Sequence, residues 1–223
     1  MGNNSCRKIG KSAGEWQLNE YITVSGETVV QTEVKRSRFI ATLRPVKTEK
    51  EALDFVNEMR KKYWDAKHNV YAFSLRENNN KRFSDDGEPH STAGLPVMEA
   101  IEHSAITDVA IVVTRYFGGV LLGTGGLVRA YSDAATLAIK NANTVTVKAA
   151  KKYTVNCSYG DYEIFCKICA ETEVKMLDTV YSEKIAVTFA VAVTEDEFFK
   201  AKCTDVFCGK MDFGTPEEIF IGF

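Results

Sequence analysis

The run TRYFGGVLLGTGGLVRAY, Thr114 to Tyr131, constrains this chain more than any other stretch. Five glycines, Gly118, Gly119, Gly123, Gly125 and Gly126, follow the apolar, mostly β-branched segment DVAIVVTRYF, which reads as a strand buried on both faces. A helix is expected from about Gly126 to Asn141, with Leu127, Ala130, Tyr131, Ala134, Leu137 and Ala138 on its buried side. Glycines at such a strand-to-helix turn admit positive φ and let a ligand reach the backbone. The first amides of the helix have no internal acceptor, and an anion is their natural occupant. Arg129 stands in the first helical turn, where the macrodipole disfavours a cation. Arg115 ends the buried strand and needs either an external anion or a carboxylate from Asp85, Asp86 or Glu88. The run has neither the Gly-Lys-Ser/Thr of a phosphate-binding P-loop nor a dinucleotide G-x-G-x-x-G. The alternative is a turn in which the glycines serve only the bend.

A second constellation is the loop RFSDDGEPHSTAG, which gathers Asp85, Asp86, Glu88 and His90 within six residues. It reads as a solvated acidic turn around Gly87, against the alternative of a hard-metal site, and His68 at the start of a strand is a candidate to join a polar cluster there. His103 reads as helix surface. Lys35-Arg36-Ser37-Arg38 is a charged edge, or a second phosphate contact centred on Arg38. No nucleophile elbow, Ser-His-Asp order or H-E-x-x-H helix occurs. The residues call for no cofactor and no metal. Cys166 and Cys169 fit one apolar helix face with Tyr162 and Phe165, against the alternative of a four-cysteine zinc site with Cys203 and Cys208.

Charge divides the chain. Through Ala150 there are 20 basic and 17 acidic residues, and beyond it 8 and 13, so a mildly basic part precedes an acidic one. The segment NANTVTVKAAKK is the expected junction. Residues 1–20 read as a polar N-terminal tail, 21–147 as one domain and 148–223 as another. Net charge is −2, so no global field points to a nucleic acid or membrane. No apolar run approaches the roughly 20 residues that span a bilayer, and a cytoplasmic location is expected. In the first domain, Thr48 and Glu51 form a capping box ahead of a helix with Ala52, Phe55, Val56, Met59 and Tyr63 on its apolar face. Thr92 is the expected cap of a short helix containing Pro96. The second domain runs β-α-β-β-α-β, with Thr194 and Glu197 as the capping box of its last helix.

The sequence resembles the YigZ/IMPACT family over nearly everything after about Tyr21. The resemblance rests on VVTRYFGGVLLG, on TGGLVRAY, on SDDGEP followed by TAG and a proline, and on KRSRFIA. It departs at Leu95, where bacterial relatives are expected to carry lysine. The resemblance implies an α+β protein of two domains. The first has the left-handed βαβ-type fold shared by elongation factor G domain IV and the GHMP kinases, and the second is ferredoxin-like. It implies a role in translation control, with RNA or the ribosome as partner, while eukaryotic members act through a protein partner. Three functions follow as expectations: a non-enzymatic binder of RNA or ribosomal phosphate, an enzyme acting on a small phosphorylated or nucleotide substrate, and a protein–protein adaptor.

Overall fold

The computed structural model describes residues 20–223; the expected polar tail falls, but for Glu20, outside the described residues. The chain forms two compact units, Tyr21–Val145 and Thr146–Phe223. Both mix helices with an antiparallel sheet. Among the described residues, no helix is long and apolar enough to cross a membrane.

The first unit contains β1 (Tyr21–Val24), β2 (Thr28–Val34), β3 (Ser37–Pro45), α1 (Glu49–Lys62), β4 (His68–Ser74), β5 (Lys81–Ser84), α2 (Gly94–His103), β6 (Val109–Tyr116) and α3 (Thr124–Asn141). Five strands pair in the order β2-β3-β6-β4-β5, every neighbour antiparallel. Central β6 is buried from Val109 to Arg115, as its unbroken apolar run requires. Alternate residues supply two cores. Phe39, Ala41, Leu43, Val70, Ile111 and Val113 pack with α2 and α3, while Tyr71, Phe73, Ala110 and Val112 pack with α1.

Helix ends show how far local signals reach. The Thr48 hydroxyl accepts from Glu51 N at 3.2 Å, and the Glu51 carboxylate accepts from Lys47 N at 2.7 Å, closing the box one residue early. Thr92 does not cap α2; its hydroxyl donates to the Pro89 carbonyl. The cap is Asp85, whose carboxylate accepts from Ser91 N, Ala93 N and Gly94 N at 2.8, 3.1 and 2.8 Å. Helix α3 starts two residues earlier than its pattern suggested, and Leu137 is 37% exposed while Ala135 takes a buried place.

The second unit holds β7 (Thr144–Cys157), α4 (Tyr159–Ala170), β8 (Val174–Tyr181), β9 (Ile185–Ala192), α5 (Asp196–Val206) and β10 (Glu217–Gly222). Strand β7 begins inside the segment expected to be the junction. Within the unit the strands lie β10-β7-β9-β8, all antiparallel. Phe165, Phe189 and Phe199 pack edge-on or tilted at 5.1 to 6.0 Å in its core. Cys169 and Cys203 are buried free thiols there, and burial pushes them up to about 12 and about 11; Cys166 is half-buried. The expected Thr194–Glu197 box is absent: α5 starts at Asp196 with no side-chain cap. Asp196 instead turns inward, accepting from Lys151 Nζ at 2.5 Å, Tyr153 Oη at 2.6 Å and Lys200 Nζ at 3.3 Å.

Two consequences are measurable. Asp85→Ala removes the acceptor of three amides and is expected to lower unfolding free energy by about 1–2 kcal/mol in urea, with Asp85→Asn losing less. At Asp196, burial raises the carboxyl pKa, but the Lys151 and Tyr153 hydrogen bonds and the nearby lysines outweigh it and hold it below the ordinary aspartate value. A depressed folded-state pKa gives stability that is present above the unfolded value and lost as pH falls through the folded one. Thermal melts below about pH 4 therefore decline less steeply in Asp196→Asn than in the parent.

Candidate functional site

The polar end of the first unit is built on cross-strand register. Phe39 of β3 and His68 of β4 both lie opposite Arg115 of β6, so the three side chains share the α2/α3 face. Glu88 reaches them from the loop between β5 and α2. Its Oε1 accepts from Arg115 Nη1 at 2.6 Å and from Tyr131 Oη of α3 at 2.7 Å. His68 Nδ1 lies 2.9 Å from the Asp86 carbonyl, which can only accept, so that nitrogen carries the proton. His68 Nε2 then stands 3.9 Å from Glu88 Oε1. Burial, then the adjacent Glu88 carboxylate, pushes the Tyr131 hydroxyl well above the usual tyrosine range and keeps it a donor.

This arrangement revises the expected role of Arg115. Its side chain is 7% exposed and paired inward with Glu88, so it does not stand on the surface as a phosphate contact. Of the three carboxylates named from sequence, Glu88 is the partner. Arg115 Nε is buried without an acceptor, with the guanidinium 5.6 and 5.7 Å from the Phe39 and Phe117 rings. Asp86 is also consumed, accepting from Arg60 Nη2 at 2.6 Å and Asn69 N at 2.7 Å. Of the expected polar cluster, His68, Asp86 and Glu88 converge. Asp85 turns away to α2, and His90 is exposed beside Ser91 Oγ. The loop is therefore not a solvated acidic turn, because each of its carboxylates holds a named partner. Among the described residues, no group of three or more His, Cys, Asp and Glu is arranged to hold a metal ion.

The glycines have separate duties. A Cβ on Gly118 would lie 2.0 Å from the Arg36 carbonyl carbon, and Gly118 N donates to Ser37 Oγ at 3.2 Å. Gly119 and Gly123 have φ of +84° and +72°, conformations that other residues resist. Gly123 is the N-cap of α3 and offers no side-chain acceptor. Open space surrounds Gly119, Gly123 and Gly125, whereas a Cβ on Gly126 would press on Leu122 at 3.1 Å. Arg129 is exposed one turn into the helix.

Gly118 abuts the Lys35–Arg36 turn, which reads from sequence as a charged edge or second phosphate contact but not as a hairpin. Lys35 and Arg36 join β2 to β3 at φ of 46° and 66°, the two-residue hairpin geometry that Asn-Gly usually fills. Arg38 follows, exposed, with its guanidinium 4.4 Å from the Tyr116 ring centre. Phe117 and Leu121 in the turn after β6 are 48% and 82% exposed. Leu95 is half-buried as the second residue of α2. Lys35-Arg36 was visible as charge, but its strain depends on hairpin register. Tyr131 was visible as a core residue, but its hydroxyl's partner lies 43 residues away.

Removing one member of the buried pair leaves the other uncompensated. Arg115→Met is expected to cost about 3–5 kcal/mol in urea unfolding, and Arg115→Met with Glu88→Gln less than the sum of the two. Gly118→Ala forces a methyl group against the Arg36 backbone and lowers stability by about 1–3 kcal/mol in the same assay.

Residues 35–139, spanning β3, the acidic loop and the glycine turn, match the Impact N-terminal domain. The chain is 33% identical to the IMPACT family member YvyE of Bacillus subtilis over 92% of its own length and 94% of that protein's. It is 29% identical to the IMPACT family member YigZ of Escherichia coli, over 90% and 100% of the two chains. A Dictyostelium discoideum IMPACT homolog is similar over only 44% of this chain and 29% of its own, at 35% identity. A solved structure titled as that of a hypothetical protein aligns with a TM-score of 0.58 at 29% identity, over 89% of this chain and 98% of that one. On an identity of about a third to a bacterial member over nearly the full length of both chains, the chain belongs to the IMPACT family.

Proposed function

We propose that this protein is a non-enzymatic, translation-related binding protein that seats RNA or ribosomal phosphate at the glycine turn before α3. The observation that carries the reading is the helix terminus itself. Its N-cap is a glycine, no side chain caps it, and open space lies over Gly119, Gly123 and Gly125. Unclaimed amides at the positive end of an 18-residue helix attract an anion. Arg129 on that helix and Lys35, Arg36 and Arg38 at the adjoining hairpin are exposed cations. Arg115 serves this surface from beneath, holding the end of β6 to Glu88 and, through it, to α3.

Hydrolytic or transfer chemistry finds less support. Asp85, Asp86 and Glu88 all accept from structural donors, which leaves no free carboxylate beside His68 or His90 to act as a base. An adaptor role is favoured by one fact, the 82% exposure of Leu121 in the glycine turn. We read the second unit as ferredoxin-like from its β10-β7-β9-β8 order. The first we read as elongation factor G domain IV-like, because α1 links β3 and β4 across β6.

RNA titrations followed by anisotropy at several salt concentrations test the proposal. Affinity should fall as salt rises, by about 0.7 to 0.9 decade per decade for each phosphate neutralised. Arg129→Glu should weaken binding and flatten that slope. Gly125→Leu, whose side chain would fill open space, should weaken binding with little change in melting temperature. Absence of RNA binding at low salt, alongside ribosome association that survives nuclease, would favour the adaptor.

A further inference from the structure

The segment that closes and follows α1 is RKKYWDAK, Arg60 to Lys67, with four basic residues and one acidic. Trp64 within it is 81% exposed. Tryptophan is among the most buried side chains on average, so an indole left this open on a stable element is unusual. It makes no ring contact or hydrogen bond with the described residues. Its position is fixed nonetheless. Tyr63 N bonds back to the Met59 carbonyl at 2.9 Å, ending the helix, and Ala66 N bonds to the Tyr63 carbonyl at 3.0 Å, folding 63–66 into a turn. The next residue, Asp65, accepts from Tyr116 Oη at 2.7 Å. That bond ties the turn to the residue that ends β6, directly before the glycine run.

The surroundings of the indole are cationic. Lys61, Lys62 and Lys67 are exposed, and none forms an ion pair among the described residues. Lys62 Nζ lies 5.3 Å from the Tyr63 ring centre. The guanidinium of Arg38 lies over the Tyr116 ring, 4.4 Å from its centre. Arg60 is the one cation of the segment already committed, to Asp86. The Tyr116 ring thus has a cation near its face, and the aromatic ring that remains open in the turn tied to Tyr116 is that of Trp64.

From this placement we infer that Trp64 stacks on an unpaired base of single-stranded RNA, with Lys61, Lys62, Lys67 and Arg38 along the strand's phosphates. The inference rests on the RNA reading above and specifies its ligand as a single strand. A π-face among unpaired cations fits a strand that offers bases and phosphates in alternation. In a duplex both faces of an interior base are already covered by its neighbours, so the indole selects for unpaired nucleotides. A protein partner would meet the same indole, but the excess of lysines about it favours a polyanion.

The test uses the full chain carrying Trp16→Phe, which leaves Trp64 as its single tryptophan. Emission is followed while a 12-nucleotide oligouridylate or a duplex RNA of equal length is added. The expected result is saturable quenching by the single strand and little by the duplex. Trp64→Ala should weaken single-strand binding about tenfold or more, Trp64→Phe less, and neither should shift the melting temperature. Single-strand binding with unchanged emission and an unaffected Trp64→Ala variant would overturn the stacking inference while leaving phosphate binding at the glycine turn intact. Equal quenching by duplex would overturn the selectivity for unpaired bases. Failure of both RNAs to bind at low salt would remove this inference and the RNA reading together, and would assign the indole to a protein partner.

Discussion

A single carboxylate oxygen, Glu88 Oε1, receives both the Arg115 guanidinium and the Tyr131 hydroxyl, and the polar end of the first unit is arranged around it. A carboxylate buried this deeply is tolerable only when paired and hydrogen-bonded. The pairing joins the end of the central strand to α3, on either side of the glycine turn. The loop that delivers Glu88 repeats the device. Asp85 holds the start of α2, and Asp86 holds Arg60 of α1 and the Asn69 amide of β4. Neighbouring acids can face different elements because Asp86 and Gly87 adopt φ of 44° and 86°, turning the chain between them. Three carboxylates within four residues therefore fasten all three helices of the unit and two strands of its sheet.

That internal use of acid decides which charges remain outside. With Arg115 drawn inward and Arg60 committed to Asp86, exposed cations remain at the hairpin, at Arg129 and in the lysines at and after the end of α1 near Trp64. The glycines divide in the same way. Gly118 is demanded by its contact with the Arg36 backbone, and Gly119 and Gly123 by their φ. Gly125 has neither reason: it is helical, unobstructed and in a position where most residues raise helix stability. A ligand that needs the helix's first turn bare supplies the reason that packing does not.

What could be read from sequence follows the range of the interactions. Periodicity located α1, α3, β6 and the β8–β9 pair, and the Thr48–Glu51 box, because each depends on residues within a turn or two. Helix α2 defeated the same reasoning, since its cap comes from Asp85, nine residues before its first residue, by a loop path that no local pattern encodes. Thr194 failed as a cap because Asp196 has stronger partners in Lys151 and Tyr153, some forty residues back. Arg115 could be said to need an anion, and Glu88 was one of three internal candidates. Only the register of His68, Arg115 and Phe39 across three strands, with Asp85 and Asp86 taken by other partners, shows why Glu88 is the one it meets. Trp64 went unmarked because an aromatic after an amphipathic helix reads as core, and only coordinates show it facing outward.

The hairpin at Lys35–Arg36 carries the argument one step further. Left-handed backbone at two successive non-glycine residues costs about 1 kcal/mol or more each, and Asn-Gly would relieve it. The strain persists while β2, β3 and β6 hold full register on both sides of the turn, so the sheet over-determines it. Those residues lie against Gly118, whose missing side chain is what lets the turn approach the glycine run at all. Strained cations beside the glycine that admits them, and an uncapped helix that follows, are two departures from the most stable local choice. The hairpin abuts Gly118 and the helix begins six residues later, and each leaves positive charge or open amides exposed. Selection for stability alone favours neither of them, whereas a requirement to meet a polyanion favours both.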